Sequence, residues 1–251
     1  MKEVIKDKLN VKISATRTLM GELAAKAVSE KINELLDTKQ FVNMIFAAAP
    51  SQNEFLEALI TKDVDWTRVN AFHMDEYLNL DANAPQGFGN FLRDRLFNKV
   101  QFRTVHYLNG NAQDAKEECL RYSAMLDHYK TDIVCMGIGE NTHLAFNDPH
   151  VADFNDPVLV KVVDLDEQCR VQQVNDGCFN MVEKVPTHAL TLTIPALFKS
   201  TYAYCMVPGE KKAKAVYHTL NENISEEYPS TILRKHPNAI LFIDEKSSAL
   251  I

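Results

Sequence analysis

No stretch of the sequence approaches the roughly 18 consecutive apolar residues that a membrane-spanning helix needs. The segment before Thr18 also lacks the apolar core of a secretory signal. The sequence therefore predicts neither a membrane partner nor export. Cysteine is scarce: Cys119, Cys135, Cys169, Cys178 and Cys205 are an odd set with no Cys-x-x-Cys pair. That argues against a disulfide framework or a zinc site and for reduced thiols in a cytoplasmic protein. With 8 Gly and 9 Pro in 251 residues, no Gly/Ser linker and no repeat, a single domain over residues 1–251 is expected. Positive charge is also short. Lys and Arg number 27 against 34 Asp and Glu, for a net charge of −7. No basic face stands out, so a nucleic-acid partner is excluded. A local pocket for an anion is not, because net charge says nothing about one site.

What the chain does have is apolar periodicity that switches between two and 3.6 residues. Leu19, Leu23, Ala27, Ile32 and Leu35 predict a helix from Thr16 to about Leu36. Further helices are predicted near 52–60, 88–98, 111–130 and 210–220. Short buried strands are predicted at Phe41–Phe46, Arg68–His73, Asp132–Gly137, Val158–Val163, Ala189–Ile194, Ala203–Val207 and Ala239–Ile243. Such alternation predicts an α/β fold: a Rossmann-like three-layer sandwich, its mainly parallel sheet covered by helices on both faces. Ligands of such sheets bind beyond the carboxyl ends of the strands, where four polar segments fall.

Ala47-Ala-Ala-Pro-Ser51-Gln-Asn-Glu54 follows the first strong strand. Ser51 with Glu54 three residues on has the capping-box pattern, which makes Ser51 the expected N-cap. Small side chains and free N–H groups there suit a phosphate. Met74-Asp75-Glu76-Tyr77 places two acids at a strand end, either of them a potential general base or a cap. Gly137-Ile-Gly-Glu-Asn-Thr-His143-Leu-Ala-Phe-Asn-Asp148-Pro149 gathers Glu, Asn, His and Asp after an apolar strand. Histidine is the side chain suited to shuttling a proton at physiological pH, which makes His143 a candidate, and a carboxylate five residues on can orient its ring. Thr142 stands where the third glycine of a dinucleotide fingerprint belongs, so no nicotinamide cofactor is expected. No HExxH or CxxC spacing occurs, so no metal is expected either. Finally, Gly209-Glu-Lys-Lys212 puts lysines before a helix, where the dipole disfavours them unless they face an anion.

Taken together these segments resemble the glucosamine-6-phosphate deaminase family. Met74-Asp-Glu-Tyr77 is similar to its MDEY, and residues 137–149 resemble its G-x-G-x-[DN]-G-H-[IL]-[AG]-F-N-E-P. Val185-Pro-Thr-His-Ala-Leu-Thr191, Gly209-Glu-Lys-Lys-Ala213 and His236-Pro-Asn-Ala-Ile-Leu241 follow in the family's order. The resemblance implies isomerisation and deamination of a sugar phosphate without a cofactor. Asp75 would be the carboxylate moving the proton between C2 and C1, and His143 would assist ring opening. Asp148 would support the histidine, and Asn141 matches the [DN] position. Ala48, Ala49, Ser51 and Lys212 would hold the phosphate, with Arg170 standing in for an arginine whose place falls near Asn175 and Asp176. A lid is expected around 150–180. Galactosamine-6-phosphate isomerases and 6-phosphogluconolactonases are relatives; in the latter the histidine is followed by T-A-S-L-F-P, where this chain has Leu144-Ala-Phe-Asn-Asp-Pro149. A homo-oligomer is compatible with the sequence. Three departures mark the chain: an Ala-Ala-Ala-Pro-Ser turn in place of a Gly/Thr-rich one, Thr142 for glycine, and Asp148 for glutamate.

Overall fold

Five of the seven predicted strands gather in one central sheet, because a strand apolar on both sides needs two covers. The computed structural model describes residues 2–251. In chain order the elements are β1 (Lys2–Lys6), β2 (Leu9–Ser14), α1 (Arg17–Leu36), β3 (Val42–Phe46), α2 (Asn53–Leu59), β4 (Val69–His73), β5 (Asp75–Tyr77), α3 (Phe88–Leu92) and β6 (Thr104–His106). They continue with α4 (Ala115–His128), β7 (Ile133–Met136), β8 (Val160–Asp164), α5 (Glu167–Asn175), β9 (His188–Leu192), α6 (Ile194–Phe198), β10 (Tyr202–Val207), α7 (Ala213–Asn221) and β11 (Ala239–Asp244).

Eight strands form the main sheet in the order β1-β2-β11-β10-β7-β3-β4-β6, all parallel except the β1–β2 hairpin. Side chains alternate between two buried faces, as the pleat requires. Met44 and Phe46 pack against Met20, Val28 and Ile32 of α1 and Phe55 of α2. Ile45 and Val134 pack on the opposite side, with Tyr122 and Leu126 of α4 and Val216 of α7.

Two of the strands predicted from the sequence do not join this sheet. β9 pairs antiparallel with β8 on one side and β5 on the other, forming a separate three-stranded sheet in the order β5-β9-β8. β5 lies within Met74-Asp75-Glu76-Tyr77, the acid-bearing segment at the end of the strand before it. Three residues give too little alternation to reveal a strand. Its pairing, Asp75 opposite Thr191, fixes the direction of the Asp75 side chain. From β3 the order runs outward to β4, and from β7 it runs the other way to β10 and β11. The switch point therefore lies between β3 and β7, where a doubly wound sheet opens a crevice at its carboxyl edge.

Candidate active site

A cleft lies at that crevice. The turns after β3, β4, β7 and β10 contribute Ala48, Ala49, Ser51, Asp75, His143 and Lys212 to its lining. The two acids after β4 take opposite roles. Glu76 Oε1 accepts hydrogen bonds from the N–H groups of Tyr77 and Phe88, both 3.0 Å, and Oε2 accepts from Gly89 N–H at 2.8 Å. Glu76 thus caps α3, whose Gly87 N-cap has no capping side chain. Asp75 points the other way, into the cleft. Burial, then the charge of Glu76, raises its carboxyl well above the ordinary value of 3.8.

His143 stands beside a supporting carboxylate. Its Nδ1 is 2.9 Å from Asp148 Oδ1, although the approach is off the line of a well-directed hydrogen bond. The shorter aspartate reaches the ring because the chain closes tightly: Thr142 N–H donates to Gly139 C=O and Gly139 N–H to His143 C=O, both at 3.0 Å. Asp148 is fully buried. Burial opposes its ionisation. Its contacts with His143, Asn141 Nδ2 (2.9 Å) and the Asp166 N–H (3.3 Å) outweigh that and hold the carboxyl below its ordinary value. Asn141 does not line the cleft. Its amide bridges Asp148 and Asp166, and its Oδ1 accepts from His143 N–H, so it positions the pair from behind.

Thr142 carries the strain of this turn. Its φ is +71°, a left-handed conformation that is costly for a β-branched residue, and its buried hydroxyl has no partner. Thr142→Gly removes both penalties. The expected outcome is a gain of about 1 kcal/mol, read as a melting temperature raised by about 2–4 °C for a chain of this size. A lower melting temperature would mean that packing of the threonine methyl outweighs the strain.

At the other end of the cleft the capping expectation for Ser51 fails. Pro50–Gln52 form a 3₁₀ turn, and α2 begins at Asn53 with no capping side chain. Glu54 turns instead to Arg17, 2.5 Å away, which ties α2 to the start of α1. Gln52, buried, donates through Nε2 to Met206 C=O and to Ser51 Oγ, both 3.2 Å. Ser51 is left as an acceptor there, its own hydroxyl hydrogen free for a ligand. Lys212 is buried at the cleft wall, and its ammonium makes no hydrogen bond among the described residues. Burial lowers its pKa, partly offset by Asp176 and Glu140.

Arg170, expected at the phosphate, is placed elsewhere. The buried face of α5 is Cys169, Gln172 and Gln173. Arg170 is one residue off that face, about 100° around the helix, and its Nη2 donates to the carbonyls of Val182 (2.7 Å) and Val185 (3.1 Å). The residues α5 does bring to the cleft are Gln172 and Gln173, whose spacing from Cys169 was the available signal. One atom each of His143, Asp148 and Cys169 come within 4.8 Å of one another, a potential metal-binding group. Burial and the nearby Asp148 and Asp166 push the Cys169 thiol well up, which makes it a poor thiolate ligand.

Comparisons with known proteins identify the family. A model of the family described as glucosamine-6-phosphate isomerases/6-phosphogluconolactonase matches residues 15–242. A glucosamine-6-phosphate deaminase of Bacillus cereus (strain B4264) is 34% identical over 229 residues, 91% of this chain and 86% of that protein. The structure of a monomeric glucosamine-6-phosphate deaminase superposes with a TM-score of 0.87 at 29% identity, covering 96% of this chain and 99% of the other. A 6-phosphogluconolactonase from Trypanosoma brucei, 14% identical with a TM-score of 0.78 over all of both chains, shares the fold alone. The chain belongs to the glucosamine-6-phosphate isomerase/6-phosphogluconolactonase family.

Proposed function

We propose that this protein is a cytoplasmic enzyme that converts glucosamine 6-phosphate and water to fructose 6-phosphate and ammonia. The observation that carries this reading is one cleft lined by a proton-hungry carboxylate, a histidine backed by a second carboxylate, and a buried, unpartnered lysine.

His143 moves the proton of the anomeric hydroxyl to the ring oxygen, opening the pyranose. Asp148 favours the protonated ring that forms part-way, and Asn141 holds Asp148 in place. Asp75 takes the proton from C2, giving an enolamine, and returns it to C1. That leaves an iminium at C2, to which water adds and from which ammonia departs. The raised pKa of Asp75 supports this role, since a carboxylate closer to neutrality is a stronger base. Ser51, the Ala48–Ala49 backbone and Lys212 hold the phosphate away from C1 and C2, which orients the reacting carbons. The segment around 150–180, with α5 at its centre, is the lid. Arg170 ties α5 to the 182–185 turn rather than gripping substrate.

The test is ammonia release from glucosamine 6-phosphate, with galactosamine 6-phosphate in parallel. Release from the first is the expected result. Release from the galacto epimer alone would reassign the sugar. No release from either would overturn the deaminase reading, and a thermal shift with either sugar would then mark a hexose-phosphate isomerase or a sugar-phosphate sensor.

A further inference from the structure

Gln172 and Gln173 are neighbours on α5, both buried and both on the cleft wall, yet the chain treats them differently. Gln172 is spent on the protein: its Oε1 accepts from Glu140 N–H at 2.8 Å, and its Nε2 donates to Asp176 at 3.4 Å. The side chain of Gln173 makes no hydrogen bond among the described residues and is only 8% exposed. Its amide atoms are not sealed off, unlike the orphaned Oε1 of Gln52, so they open onto the cleft, where a ligand rather than the protein would engage them.

Its position is held from both ends of the helix. Asp166 caps α5 by accepting from Cys169 N–H at 2.6 Å, and it is joined through Asn141 to Asp148. Gln172 fastens the helix to the turn that carries His143. The amide of Gln173 is therefore fixed against the cleft with its donor and acceptor both unspent. Its polar companions there are Ser51, Asp75, His143, Gln172 and Lys212. Asp75 and His143 serve the reacting end and Lys212 the anion. Ser51 also keeps a free donor and a spare lone pair, but the same reading of the cleft gives it to the phosphate.

We infer that Gln173 is a specificity-determining residue that binds a hydroxyl of the sugar backbone, giving one hydrogen bond and accepting another. The inference rests on the proposed reading of the cleft as a sugar-phosphate site. A hydroxyl is the matching group because it too is both donor and acceptor.

The variant to make is Gln173→Met, which keeps the length and removes both polar atoms, with Gln173→Glu alongside to remove the donor alone. For glucosamine 6-phosphate, Gln173→Met is expected to raise KM roughly 3- to 10-fold, the worth of one ordinary hydrogen bond, with kcat little changed. Its melting temperature should be equal to or above that of the wild type. Deoxy analogues identify the hydroxyl: against the analogue lacking it, wild type and variant should have the same KM. An unchanged KM, or a lowered melting temperature with kcat and KM both impaired, overturns the assignment. The two readings fail separately. Wild-type protein that binds the sugar phosphate without releasing ammonia sinks the deaminase, and Gln173 is then judged on Kd by thermal shift. Wild-type protein that does not bind sinks both.

Discussion

Asp75→Asn should be both inactive and more stable than the wild type. The loss is expected to be about 10²–10⁴-fold in kcat, the usual worth of a positioned proton-transfer group, with substrate affinity largely kept because asparagine fills the same space. The gain comes from the same burial that makes Asp75 a good base. Its folded-state pKa is raised, first by burial and then by Glu76. At neutral pH the folded protein thus carries a carboxylate that the unfolded chain would ionise more readily, and removing it stabilises the fold. Stabilising substitutions of this kind commonly yield about 0.5–2 kcal/mol. The pH dependence supplies the sign check. A raised pKa means that the wild type recovers stability as pH falls through Asp75's folded value, because the carboxyl then takes up its proton. The advantage of the variant should accordingly be largest above that value. It should shrink on acidification and vanish below the unfolded value near 3.8. Thermal melts of both proteins from neutral to acid pH check this, beside a rate assay. An active Asp75→Asn enzyme would need another base. Glu76 is not available, since both its oxygens are committed to the N–H groups around α3.

The strong features of the site were legible because they are local. The apolar runs at β3, β4, β7 and β10 announce themselves by composition, and in a parallel sheet their ends necessarily share an edge. His143 and Asp148 are five residues apart, so only the turn between them needed to be resolved. What stayed hidden depends on distant partners. β1 is a short edge strand, Lys-Glu-Val-Ile-Lys, four of its five residues exposed, and without burial there is no strong pattern to read. β5 exists because β9 is beside it. Ser51 fits a capping box in sequence, but Gln52 and Arg17 recruit the residues around it and tighten the turn to 3₁₀. Arg170 lies off the cleft for a simpler reason: its charge suits a phosphate, but helical spacing from Cys169 makes Gln172 and Gln173 the inward side chains.

The second large effect should come from a methyl group. Gly139→Ala adds a Cβ inside the van der Waals envelope of the His143 ring, against Cε1, Nε2 and Nδ1 together. Both cannot occupy that space. The ring is the end of a side chain at the wall of an open cleft, so it swings away rather than forcing the backbone apart. Stability should therefore change little. Catalysis should not survive so well, because the swing carries Nδ1 away from Asp148 and Nε2 away from the sugar. A displacement of about 1 Å at a reacting group can cost 10²-fold, and a loss of about that size in kcat is expected. His143→Gln shows whether the loss has this origin. If Gly139 acts only through the ring, adding Gly139→Ala to His143→Gln should cost almost nothing further, since the two changes remove one interaction. A double variant far slower than His143→Gln alone would mean that the glycine has a second role in the turn. A large fall in melting temperature for Gly139→Ala would mean that the ring is locked and the backbone yields instead. The double variant matters most, because it separates the space the glycine leaves from the histidine that fills it.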